Sequence, residues 1–274
     1  MQRAVLCPRC RRLIGSDESK CSWCGTSRSA VGWTLLSSAR SLLEGDGILK
    51  ALITVNIVYY ALSLLPIAGQ SGSGGGMFGI LSPGRTNLLL LGATGTVPID
   101  QFGRFWTLLT ANYLHGGILH LVFNMMALRQ IIPLTINEYG PARMFSIYTL
   151  GGVFGFWISY VAGVPFTIGA SAALCSLIGA LLYYGKSRGG AYGSAVYREV
   201  SGWVISLFIF GFIFPGINNW GHGGGLLGGI IFGKLFGYNE SRREKPYDRA
   251  TALVCAVVTL ILLVWALFTA LVLV

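Results

Sequence analysis

The chain has 274 residues, of which 53% are hydrophobic and only 11% charged. Soluble globular chains carry about 25% charged residues, so an ordinary soluble domain is excluded. The formal net charge of +10 points to topology signals facing anionic lipid, because the basic residues lie between apolar runs, and no nucleic-acid partner is expected.

Residues 1–29 carry Cys7-Pro-Arg-Cys10 and Cys21-Ser-Trp-Cys24. Each CxxC presents two thiolates from a tight knuckle, and four thiolates satisfy tetrahedral Zn²⁺. So short a segment buries no core of its own, and the metal has to supply its folding energy. A zinc-ribbon-like module with a structural Zn at Cys7, Cys10, Cys21 and Cys24 is therefore expected. The alternatives are a redox dithiol or four free cysteines in a disordered tail. The residues do not name the module's partner. Cys175 and Cys255 are single residues in apolar runs, so no secreted disulfide framework is expected, and no cleavable signal peptide either.

Residues 30–47 are expected to link the module to the membrane. Within them Val31, Leu35, Leu36, Ala39, Leu42 and Leu43 recur at helical spacing, as in a helix lying on the bilayer surface. Seven spans follow, at about 48–68, 112–132, 142–162, 171–186, 202–216, 221–237 and 252–274. A span needs about 20 apolar residues, so the fourth and sixth are short. No Asp or Glu falls within any of the seven. The connection 69–111 holds a flexible-looking Gln70-Ser-Gly-Ser-Gly-Gly-Gly run and the aromatic residues Phe102, Phe105 and Trp106, suited to the interface. A loop of that length with its own apolar residues is expected to be structured. With the N-terminus in the cytoplasm, 18 of the 20 Lys and Arg lie on the cytoplasmic side, leaving Arg85 and Arg104 outside. That bias sets the expected orientation.

The chemistry concentrates in three stretches. Asn112–Leu128 is apolar yet holds His115, His120 and Asn124, and polar groups in a bilayer are costly and usually functional. His120 and Asn124 are four apart and share a helix face. Ser171 opens the fourth span and His222 opens the sixth, both at the outward ends. A serine hydroxyl becomes a nucleophile when a neighbouring base takes its proton, and His222 can do so if the two spans pack closely. Gly225, Gly229 and Gly233 supply a small-residue ridge for that purpose, facing small residues such as Gly179 and Ala180. His120, Asn124 and the Ser171 backbone N–H are candidate donors to an oxyanion. Without a carboxylate in any span, the site would be a dyad.

These residues resemble the rhomboid intramembrane serine proteases over about residues 48–238. The resemblance rests on His115-(x4)-His120-(x3)-Asn124, on Gly169-Ala170-Ser171, and on Asn219-Trp220-Gly221-His222-(x2)-Gly225-(x3)-Gly229. It implies an all-α polytopic fold, a six-helix bundle in 48–238, here followed by a cytoplasmic loop and an extra seventh helix in 239–274. It implies Ser171 as nucleophile, His222 as general base, and His120 and Asn124 in the oxyanion hole. His115, Gly169 and Trp106 are then structural or substrate-positioning residues. Substrates would be single-span membrane proteins cut near or within their helix, among membrane lipids and with no cofactor for catalysis. The sequence departs from the family pattern at Ala172 beside the serine, at Cys175 where an aromatic often stands, and at Trp106-Thr107. The competing readings are an inactive rhomboid-like protein that binds client helices, and a transporter or channel.

Overall fold

A bilayer core offers no water to backbone N–H and C=O groups, so an apolar run that enters it bonds internally as a helix. In the computed structural model, which describes residues 4–7, 12–15, 18–27, 45–65, 81–214 and 216–272, the predicted runs are helices. They are α1 (Gly45–Ser63), α2 (Ile118–Tyr139), α3 (Pro141–Val161), α4 (Ser171–Arg188), α5 (Gly190–Ile213), α6 (Asn219–Phe236) and α7 (Pro246–Val272). By length and composition α2, α3, α5 and α7 are apolar enough to cross a membrane. Helices α4 and α6 have only 18 residues each, the short spans expected. The chain divides into two compact units, Met1–Ala51 and Leu52–Val274. The expected surface helix at 31–43 and the glycine run at 70–76 lie outside the described residues.

Several boundaries differ from the expectation. The second helix begins at Ile118 rather than 112, because Ala111–Tyr113 forms a 3-10 turn before it. It runs through Pro133 to Tyr139, and Gly140 at φ +87° and Pro141 then start α3. Helices α5 and α7 begin earlier than their apolar stretches, at Gly190 and Pro246. The helices therefore carry Glu138 and Asp248 near their ends and Glu199 within α5, all outside the expected apolar spans.

The first unit contains a hairpin of β1 (Ala4–Leu6) and β2 (Leu13–Gly15), antiparallel with Val5 opposite Ile14. In the second unit, α6 is wedged between α3 and α4. Gly225 and Gly229 of α6 approach α4 so closely that a methyl on either would overlap the carbonyl oxygen of Ala172 or Ser176. A methyl on Gly233 would come 3.0 Å from Ala180. On the other side, Gly224 and Gly228 face Gly155 and Gly151 of α3. Ser176 Oγ donates to the Ile147 carbonyl at 2.8 Å and links α4 to α3.

The described part of the connection before α2, from residue 81 onward, is structured. It includes a short helix, Arg85–Leu90, and another, Thr107–Thr110. Thr94 and Thr167 exchange backbone hydrogen bonds at 3.1 and 2.7 Å, and Thr96 N–H donates to Val164 at 2.9 Å. Tyr59 of α1 donates to the Leu91 carbonyl at 2.8 Å. Phe102 and Phe105 are exposed, in keeping with interfacial anchors.

At the opposite end of the bundle, Arg143 is fully buried and pairs with the buried Asp248 of α7 at 3.0 Å. Its other amine donates to the carbonyls of Gly237 and Arg242 at 3.1 and 2.7 Å. Asp248 also pairs with Arg242 at 3.0 Å. Glu244 accepts from the N–H groups of Ala142 and Arg143, at 2.7 and 3.2 Å, and so caps α3. Arg143, expected only as a topology signal, is a structural ion.

The wedge generates a paired prediction. Gly229→Ala drives a methyl into backbone and is expected to cost about 3 kcal/mol, the upper end for overpacking. Gly223→Ala, whose nearest neighbour is Phe208 at 3.9 Å, is expected to be close to neutral. Unfolding titrations in mixed micelles compare the two. Equal stabilities would show that the α4–α6 approach is not tight.

Candidate active site

The close approach of α4 and α6 brings Ser171 and His222 together. Each stands in the first turn of its helix. Ser171 Oγ and His222 Nε2 are 2.8 Å apart. His222 is 8% exposed and Ser171 is half-buried. The start of α4 leaves the Ser171 backbone N–H without an intrahelical acceptor, hence available as a donor. His222 Nδ1 is buried with no hydrogen-bond partner among the described residues. Among the described residues the arrangement is a serine–imidazole pair without a third member.

His120 reaches the same place from α2. Gly116 N–H donates to its Nδ1 at 3.3 Å. A neutral imidazole that accepts at one nitrogen carries its proton on the other, so His120 Nε2–H is a donor. That nitrogen faces Gly169: a methyl built there would stand 2.8 Å from His120 Nε2 and 3.6 Å from Ser171 Oγ. Gly169 also holds φ +126°, a conformation that residues with a Cβ rarely adopt. Its N–H donates to the Ala111 carbonyl at 2.9 Å and fixes the turn before the serine.

Asn124 lies one turn along α2 from His120 and is 6% exposed. One amide hydrogen goes to the His120 carbonyl at 2.8 Å, and the second remains as a possible donor. His115 is fully buried, with its ring edge-on to His120 at 5.1 Å between centroids. Trp106 is placed differently from the others: its ring packs by Gly92, beside Thr110. Cys175 is buried on α4, its Cβ near Gly225.

Sequence reasoning missed Asn218. It caps α6 by accepting from Gly221 N–H at 2.9 Å, and it donates to Ser159 Oγ at 2.6 Å and Thr167 Oγ1 at 2.9 Å. It thereby holds the first turn of α6, and His222 in it, against the end of α3 and the 162–170 turn. An Asn immediately before a helix is an N-cap signal and was available.

In the first unit, Cys7, Cys21 and Cys24 converge with their sulfurs all within 4.8 Å of one another. Cys7 and Cys24 sulfurs are 3.7 Å apart. Tetrahedral ligands at about 2.3 Å from Zn²⁺ stand about 3.8 Å apart, so this group can hold a metal. Cys10 lies outside the described residues.

Comparison with known proteins bears on the membrane unit. The rhomboid domain family matches residues 103–239, half of the chain and the part that holds Ser171, His222, His120 and Asn124. Rhomboid protease GluP of Bacillus subtilis (strain 168) is 35% identical over 160 residues, 57% of this chain and 31% of that protein. RHOMBOID-like protein 6, mitochondrial, of Arabidopsis thaliana is 30% identical over 175 residues, 61% of this chain and 57% of that protein. Inactive RHOMBOID-like protein 8 of the same plant is 28% identical over 171 residues, 61% of this chain and 48% of that protein. The chain spans less than two thirds of the length of each of these relatives. With the matched region covering the helices and turns that bring Ser171 to His222, the chain belongs to the rhomboid family of integral membrane proteins.

Proposed function

We propose that the protein is an intramembrane serine protease that cleaves single-span membrane proteins near or within their transmembrane helix. The observation that carries this reading is the 2.8 Å contact of Ser171 Oγ with His222 Nε2, beside His120 and the open end of α4. Ser171 Oγ attacks the scissile carbonyl carbon while His222 Nε2 takes its proton. The oxyanion that forms accepts from His120 Nε2–H, the Ser171 backbone N–H and the free amide hydrogen of Asn124. The C–N bond then breaks, and His222 returns the proton to the leaving amine. Water attacks the acyl ester, His222 takes its proton and gives it to Ser171 Oγ as the acid departs. No cofactor takes part. His115 supports His120 by ring contact, Gly169 makes room for it, and Trp106 steadies the connection before α2.

A second reading, a rhomboid-like protein that binds client helices without cutting them, draws on the unpartnered His222 Nδ1 and on Cys175. The same experiment separates the two. Ser171→Ala and His222→Ala are each expected to fold and to lose cleavage of a model membrane substrate by several orders of magnitude. A fluorophosphonate probe is expected to label the wild type and not Ser171→Ala. A folded wild type that neither labels nor cleaves supports the client-binding reading.

The bias of Lys and Arg supports a cytoplasmic N-terminus and an active site opening to the external side. On that orientation, single cysteines placed in 81–111 react with an impermeant thiol reagent from outside, and those in 238–245 do not. The reverse pattern overturns it.

The domain plan we propose is a metal-held module in 1–29, a membrane-surface linker in 30–47, the catalytic core in 48–238, and a loop with the seventh helix in 239–274. Cys7, Cys21 and Cys24, joined by Cys10, hold the metal, and binding it is folding. The module serves recruitment or regulation. One Zn per chain is expected by elemental analysis, with Cys7→Ser or Cys21→Ser losing it while cleavage persists. A zinc-free wild type refutes the metal-held module.

A further inference from the structure

The hairpin that supports the cysteine cluster is two-sided. Along β2, Ile14 turns inward to pack with Cys7 and Cys21, while its neighbour Leu13 turns outward and is 64% exposed. Trp23, in the second knuckle, is 59% exposed beside it. Its ring N–H donates to the Leu13 carbonyl at 3.4 Å, which sets the indole next to the leucine. The Arg12 guanidinium lies over the indole, 4.4 Å from the ring centroid. An aliphatic, an indole and a cation thus form one outward patch on a module too small to need them there for its own core.

We propose that this patch, Arg12, Leu13 and Trp23, docks the module onto an anionic lipid surface. The proposal rests on the reading of residues 1–29 as a metal-held module. Three observations select lipid as the occupant. Indole rings favour the headgroup level, where one edge is apolar and the other wet. Residues 1–29 hold six Lys and Arg against two Asp and Glu, the sign that anionic headgroups attract. The module is also tethered: residues 28–44 separate it from α1, a reach of no more than about 60 Å even fully extended. A tether that short keeps the bilayer at high effective concentration, so a small patch suffices where a free domain of the same size would stay in solution.

The test uses the full-length protein in vesicles of phosphatidylcholine alone, and of phosphatidylcholine with roughly a third phosphatidylglycerol, a strongly anionic surface. The chain has seven tryptophans, so the Trp23 signal is the difference between wild type and Trp23→Phe. Lipids brominated high on the acyl chain are expected to quench that difference signal at least about twofold in the anionic vesicles. Quenching should be weak in the neutral ones, and salt near 1 M, where screening acts within about 3 Å, should remove it. Leu13→Ser is expected to weaken it at unchanged zinc content. A zinc-loaded protein whose Trp23 signal is insensitive to bromolipid but open to aqueous iodide overturns the docking alone. Shielding from both quenchers means that protein covers the patch, which also overturns it. A zinc-free wild type removes the module on which the proposal stands.

Discussion

Everything at the Ser171 end depends on how closely α6 can approach α4. Helices in a bilayer gain little from burying apolar side chains against each other, since lipid is equally apolar; backbone proximity through small residues is what holds them. Gly225, Gly229 and Gly233 provide it at a four-residue period, opposite Ala172, Ser176 and Ala180. The same period on α4 carries back to Ser171 and its neighbour, and on α6 to Gly221 and His222. The serine–imidazole distance is thus fixed by helix packing below it. On the proposed mechanism, a displacement of 1 Å there would cost about a hundredfold in rate. The departure at Ala172 is absorbed away from α6: its methyl group is buried with Ala111 and with Phe156 of α3.

The proposed mechanism asks opposite duties of the two histidines near Ser171. Gly116 N–H occupies His120 Nδ1, which makes Nε2 a donor. For His222 to take the serine proton, Nε2 must be bare and Nδ1 must carry the hydrogen, and that nitrogen is buried without a partner. An unmet buried donor costs about 1–3 kcal/mol. In a triad a carboxylate removes that cost and also aims the ring. Here the aiming falls to the first turn of α6, which Asn218 clamps to Ser159 and Thr167. Cys175, lying against Gly225, offers the ring no aromatic face.

Among the described residues the number of long helices was legible, because apolar runs separated by charge leave few alternatives in a membrane. Their ends were not, because Glu138 and Asp248 find partners in Tyr192 and Arg143 that no local window contains. Ser171, His222, His120 and Asn124 were legible as polar residues in apolar stretches. The donor that sets the His120 tautomer was not, being a backbone N–H. Asn218 was overlooked beside the more conspicuous Asn219-Trp220-Gly221-His222 run, although its position before a helix gave the cue. In the first unit the CxxC spacing announced the cluster, while the outward pairing of Leu13 with Trp23 required the hairpin register.

The seventh helix shows how far support for the serine extends. One face of α7 is buried through Asp248, Cys255, Thr259, Leu263, Ala266 and Ala270, and from Leu253 onward the opposite face is exposed and apolar, as lipid contact requires. Its first turn is pinned by Asp248 to Arg143, and removing one partner of such a buried pair leaves an uncompensated charge worth about 3–5 kcal/mol. From that anchor α7 runs along α3 to the short helices Arg85–Leu90 and Thr107–Thr110. The latter leads directly into Ala111, whose carbonyl holds Gly169 N–H, two residues before Ser171. A helix whose nearest ionic anchor is at the far end of the bundle thus braces the turn that presents Ser171, which makes it part of the scaffold of the candidate site rather than an appendage to a six-helix core.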